Sequence, residues 1–116
     1  MTSELGILAM MKNEMAGTLT LRSHSIEPAD ATWIQEPPAQ IEGNSDGSFK
    51  ASVVGTAALT GTVVYRPDGS SIDLTFTFTV NGQENTANAT YPMIGPTVGA
   101  QITQGTSANA NYTYAR

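Results

Sequence analysis

The chain has 116 residues, with 5 Lys and Arg against 10 Asp and Glu, and is 40% hydrophobic but only 13% charged. That length suits a single domain, 1–116, able to bury a core without staples, and the low charge argues against a disordered tail. A net charge of −5 offers no cationic patch for nucleic acid, and the absence of Cys removes disulfides, thiolate zinc sites and cysteine nucleophiles.

In chain order, the pattern is strands and turns. Leu5 to Met11 is an apolar run without clean alternation. It reads as an inner strand touched on both sides, and becomes a site for pairing with another chain if it lies at an edge. With no basic region before it and no small-residue cleavage site after it, it is not read as a signal peptide. Thr18 to Ile26 places Leu19 and Leu21 on one face, with Thr20, Arg22 and His24 on a wet one. Pro37-Pro38 marks an irregular connection. Ser45-Asp46-Gly47 reads as a turn leading into Phe49, Ala51 and Val53.

Gly61 to Arg66, the turn Pro67-Asp68-Gly69, and Ser71 to Val80 form the clearest hairpin. Its second strand alternates strictly: Ile72, Leu74, Phe76, Phe78 and Val80 against Asp73, Thr75, Thr77 and Thr79. Period two with β-favouring residues predicts one buried and one wet face. Asn81-Gly82 closes the far end. Pro92 to Pro96 is a second irregular connection. Gln101 to Thr103 is a short strand. Asn109 to Tyr114 sets Ala110, Tyr112 and Tyr114 on one face. No segment combines 3.6-residue periodicity with caps, so no helix is predicted. Many short strands with frequent turns predict an all-β fold, an antiparallel β-sandwich of two packed sheets.

No catalytic set emerges. His24 is the sole imidazole and reads as a surface residue, with no nucleophile or orienting acid marked near it. The acids are scattered, and Asp46 and Asp68 are explained by turn chemistry. Asn44-Ser45-Asp46-Gly47 has oxygen donors but lacks the later bidentate Glu of a calcium loop. Asn88-Ala89-Thr90 and Asn111-Tyr112-Thr113 match the glycosylation acceptor pattern, which recurs by chance in Asn- and Thr-rich chains. The row Thr75, Thr77, Thr79 invites a flat binding face, for ice or polysaccharide, but no such row is evident on other strands, so it reads as an ordinary wet face. Trp33, the single Trp, reads as a packing residue or as an interfacial anchor. No metal or cofactor is expected, and no enzymatic activity.

The order of landmarks resembles the aegerolysin family. The landmarks are Lys12-Asn13, Gly17-Thr18-Leu19-Thr20-Leu21, Trp33 before Pro37-Pro38, Phe49-Lys50-Ala51-Ser52, and Leu59 to Tyr65. They continue with Leu74/Phe76/Phe78, Asn81 to Asn85, Ile102 to Ser107, and Asn111 to Tyr114. The likeness is nearest to the bacterial branch that includes small subunits of binary insecticidal toxins. It implies a non-enzymatic sandwich that recognises membrane lipids, typically sphingolipids, and acts with a larger pore-forming partner protein. Unlike fungal members, the chain lacks several tryptophans and a cysteine in its second half. Tyr91-Pro92-Met93-Ile94 stands there instead, so the lipid or receptor is left open. Only Trp33 and Tyr65 carry over, as landmarks.

The sequence thus leads to a membrane-binding toxin component that is secreted or released and acts at a target-cell membrane. Its lipid-binding candidates are Trp33, Tyr65, Tyr91, Met93 and Ile94, with docking expected through loops at one end. The open edges of such a sandwich would also allow a homodimer. The alternative is a carbohydrate-binding module using the Asn, Gln and Thr surface.

Overall fold

The computed structural model describes residues 4–55 and 58–116. Among these residues ten strands follow one another: β1 (Glu4–Asn13), β2 (Leu19–Glu27), β3 (Thr32–Gln35), β4 (Gln40–Ile41), β5 (Ser45–Val54), β6 (Leu59–Pro67), β7 (Leu74–Val80), β8 (Thr86–Thr90), β9 (Thr97–Ile102) and β10 (Ser107–Ala115). They form two five-stranded sheets, ordered β3-β5-β1-β10-β9 and β4-β2-β6-β7-β8. The fold is the expected all-β sandwich. Its pairings are antiparallel except for β1 with β10, which run parallel from Gly6↔Ser107 to Asn13↔Tyr114. Two chain-distant segments therefore meet at the centre of the first sheet.

The inward positions follow the alternation of each strand. Leu74, Phe76, Phe78 and Val80 are buried on β7, and Tyr112 and Tyr114 on β10. The sheets meet in an aromatic layer. The Phe76 and Tyr112 rings lie 4.7 Å apart and nearly stacked, and Phe49 stands 5.6 Å from Phe78. Tyr112 donates its hydroxyl proton across the gap to the Thr77 carbonyl at 2.7 Å. A buried phenol needs such a partner to offset its desolvation.

Several sequence expectations change. β1 does alternate, with Leu5, Ile7, Ala9 and Met11 buried while Leu8 and Met10 remain exposed on the outer face. It is central in hydrogen bonding but covered on one side only, so it is not an edge. The turn before β5 is Gly43–Asn44, with Asn44 in the left-handed region at φ 56°. Ser45 to Gly47 already pair in register with Asn13 to Met11, because the turn joins the two sheets rather than a hairpin. β7 begins at Leu74, and Ile72 lies in the preceding bend, where its N–H bonds to Ser70 Oγ. Lastly, β2 carries a bulge between Leu21 and Ser23. The extra residue is Arg22, and the phase change sets His24 opposite inward-facing Val63. His24 is consequently half-buried against Trp33, with ring centroids 5.4 Å apart.

The bulge and the register also reveal the outer face of the second sheet. Thr79 lies between Thr60 and Thr86, and Thr77 between Thr62 and Asn88. The threonine row does recur on neighbouring strands. Only the strand register, which no single strand encodes, aligns the rows.

Candidate functional site

One end of the sandwich gathers four connections: residues 14–18, 42–44, 68–73 and 91–96. A buried asparagine organises the first two. Asn13 donates through Nδ2 to the carbonyls of Gly17, Ile41 and Glu42 at 2.8–3.2 Å, and its Oδ1 accepts from the Met15 N–H. Beside them, Pro67 to Ser70 is a β-turn closed by Ser70 N–H to Pro67 O at 3.0 Å. Gly69 adopts φ +77°, which a residue with a Cβ adopts only at a cost.

The fourth connection, Tyr91 to Pro96, carries the exposed apolar tip. Ile94 is 101% and Met93 50% exposed. Met93 N–H bonds to Tyr91 O at 2.7 Å and Pro92 and Pro96 fix their own φ, while Gly95 supplies the turn at φ +119°. Tyr91 anchors it. Its hydroxyl lies 2.6 Å from Ser70 Oγ, and its ring meets Tyr114 edge-on at 5.4 Å. Burial raises the Tyr114 hydroxyl to about 12, with the neighbouring Tyr91 adding to the shift. The tip is thus a preorganised pair of apolar side chains on a braced loop.

The predicted site residues do not converge. Tyr91, Met93 and Ile94 share the loop between β8 and β9, at one margin of the sandwich. Trp33 lies on β3 at the opposite margin, half-buried, with its ring edge-on to Phe49 at 5.5 Å. Four strand spacings, on the order of 19 Å, separate these margins. Tyr65 is a correction. It is fully buried, and its hydroxyl donates to Pro38 O at 2.7 Å. Its burial raises its hydroxyl well above the usual phenol range. A residue so enclosed fills the core and offers no surface to a ligand.

Two surfaces were not legible in the sequence. Leu8 and Met10 on β1, with Ile34 on β3, leave an apolar patch outside the first sheet, flanked by Lys50. At the candidate end, Arg22 and Arg66 line one shallow cavity of about 220 Å³ with Thr20, Asp68 and Ser70. The signal that could have found the first was the exact spacing of Leu8 and Met10; the second depends on the bulge. Among the described residues no cluster of His, Cys, Asp or Glu could hold a metal ion, and no helix is long and apolar enough to cross a membrane.

No family model and no curated protein matches the chain. Solved structures do. The lipid binding protein Nakanori superposes with a TM-score of 0.78 at 13% identity, over 97% of this chain and 71% of its own. The lectin XCL of Xerocomus chrysenteron superposes with a TM-score of 0.62 at 12% identity, over 99% of this chain and all of its own. At such identities the likeness concerns the sandwich fold.

Proposed function

We propose that this protein is a lipid-binding β-sandwich that docks on membranes through the Tyr91–Pro96 end. The observation that carries it is the braced tip: an Ile exposed in full and a half-exposed Met, held on a loop whose conformation is already set. Exposing such side chains to water is unfavourable, and a rigid loop loses little further entropy on insertion. The shared fold with a lipid binding protein supports the same reading, as does the resemblance to aegerolysins.

Burying Met93 and Ile94 would contribute roughly 3–6 kcal/mol at most, which corresponds to affinities from several millimolar to some tens of micromolar, on the order of 6 mM to 40 μM. Stable attachment therefore needs a second contact, several copies, or a partner. The resemblance to aegerolysins suggests the finer reading: a released component of a pore-forming, insecticidal or haemolytic toxin system, working at the target-cell membrane with a larger partner protein. The outer face of β1, with Leu8 and Met10, is the surface left for that partner or for a homodimer.

Flotation with vesicles of phosphatidylcholine, alone or with sphingomyelin or sterol, tests the docking. The wild type is expected to float with at least one mixture and Ile94→Asp with none, its thermal unfolding unchanged. Equal flotation of both proteins, or none by the wild type, rejects the loop as the docking point. A glycan array addresses the carbohydrate alternative, which the threonine rows outside β6, β7 and β8 favour.

A further inference from the structure

Only five Lys and Arg are present in the chain, and two of them line the same cavity, Arg22 and Arg66. Each is placed by a different device. Arg22 is the inserted residue of the β2 bulge, and such bulges re-aim side chains that regular pleating would space evenly. It is exposed and has no ion-pair partner among the described residues. Arg66, opposite Thr20 on β6, is held by Asp73: Nη2 and Nε donate to the same Oδ1 at 2.8 and 2.9 Å. That pair orients the guanidinium and leaves other N–H groups unspent. Thr20 and Ser70 add hydroxyls, and Ser70 is positioned by its contact with Tyr91. Asp68 is also at the cavity, on the exposed turn.

We infer that the Arg22–Arg66 cavity is a binding site for the phosphate group of a phosphate ester. Guanidinium groups present forked donors that match phosphate oxygens, and the Thr20 hydroxyl supplies a further donor, that of Ser70 being engaged with Ile72 O and Tyr91. Asp73 neutralises Arg66 while holding it, so Arg22 carries the unpaired positive charge and Asp68 is the carboxylate that opposes an anion. It weakens the site without filling it. Ser70 is bonded to Tyr91, so the cavity adjoins the loop that carries Ile94. A phosphate bound here would provide the second contact that the apolar tip requires. This last step rests on the membrane-docking reading; the phosphate site itself does not.

The test is a titration of isotope-labelled protein with inorganic phosphate, against sodium chloride at matched ionic strength, followed by amide and Arg Nε signals. Phosphate is expected to move Thr20, Arg22, Arg66 and Gly69 saturably. Arg22→Gln, at an exposed position whose loss leaves the core intact, is expected to weaken binding about tenfold. Asp68→Asn, which keeps a turn-forming residue, is expected to strengthen it about twofold. Shifts that chloride reproduces, a response unaltered in Arg22→Gln, or weaker binding in Asp68→Asn would each overturn the inference.

Flotation on phosphatidylcholine and on phosphate-free galactosyldiacylglycerol vesicles then separates the sources. Preference for phosphatidylcholine that Arg22→Gln abolishes assigns the site to a lipid headgroup. A phosphate response without flotation on either lipid keeps the site, for a soluble phosphate ester, and rejects membrane docking. Equal flotation on both lipids without a phosphate response keeps membrane docking and rejects the site.

Discussion

Ser70 Oγ and Tyr91 OH lie 2.6 Å apart and tie the β6–β7 turn to the β8–β9 loop. The first is a hairpin turn within one sheet, and the second crosses from that sheet to the other. Their bond couples the cavity holding Arg22 and Arg66 to the loop holding Met93 and Ile94. Tyr91→Phe keeps the ring against Tyr114 and removes only the hydroxyl. The expected result is a loss of about 1 kcal/mol in stability, measured by denaturant unfolding, together with a smaller vesicle-bound fraction in flotation. Unchanged flotation would mean that the brace does not matter to the tip.

The far end of the sandwich depends on Asn85. Its Oδ1 accepts from the N–H groups of Asn81 and Gly82, and its Nδ2 donates to Thr103 O and Gly105 O at 2.9 and 2.8 Å. Gln104 completes the pairing with the Asn85 backbone. Asn85→Ala leaves several backbone groups without partners near a buried site. A loss of roughly 2–4 kcal/mol is expected, since each unsatisfied buried group costs about 1–3 kcal/mol. Urea midpoints measure it, and Asn85→Asp, whose carboxylate would face the Thr103 and Gly105 carbonyls where the amide now donates, is expected to lose at least as much at neutral pH.

Gly61 is fixed by what lies over it. A Cβ there would collide with the Phe78 ring and stand 3.2 Å from Ile26. Phe78 is itself locked in the aromatic layer and has little room to yield. Gly61→Ala is therefore expected to destabilise by about 1–3 kcal/mol through overpacking. The double substitution Gly61→Ala with Phe78→Leu should recover part of that loss. Thermal unfolding of the two variants decides whether the collision is the cause.

Alkaline pH should unfold the protein through its tyrosines. Burial raises the Tyr65, Tyr112 and Tyr114 hydroxyls, Tyr114 to about 12. The neutral phenol is the form the fold favours. Its contribution is thus fully present below the ordinary value near 10 and is lost as pH rises from there through the folded value. Phenolate absorbance from these groups should appear together with loss of the β circular dichroism signal. Ionisation of all tyrosines near pH 10 in a folded chain would contradict their burial.

Much of the fold could be read from single strands. The alternation in β7 and β10 identifies their buried faces, because side chains on a strand point to opposite sides whatever its neighbours are. Pro67-Asp68-Gly69 marks its turn for an equally local reason, the backbone conformations those residues allow. The loop candidates Met93 and Ile94 are likewise recognisable as apolar residues between Pro92 and Pro96, with Tyr91 just before them.

What strand pairing controls was not local. The parallel meeting of β1 and β10 joins opposite ends of the chain. The bulge at Arg22 reverses the phase of β2, turning His24 inward and directing Arg22 to the cavity of Arg66. Tyr65 and Trp33 are both aromatics that sequence alone could assign to core or surface. Packing resolved them, enclosing Tyr65 under Pro38 and setting Trp33 against Phe49 at the margin away from Tyr91. The chain by itself determined which residues seek burial and where the backbone can turn, since those are properties of a residue and its near neighbours. The tertiary structure decided which surfaces coincide, because register, bulge and sheet order arise only when distant strands share hydrogen bonds.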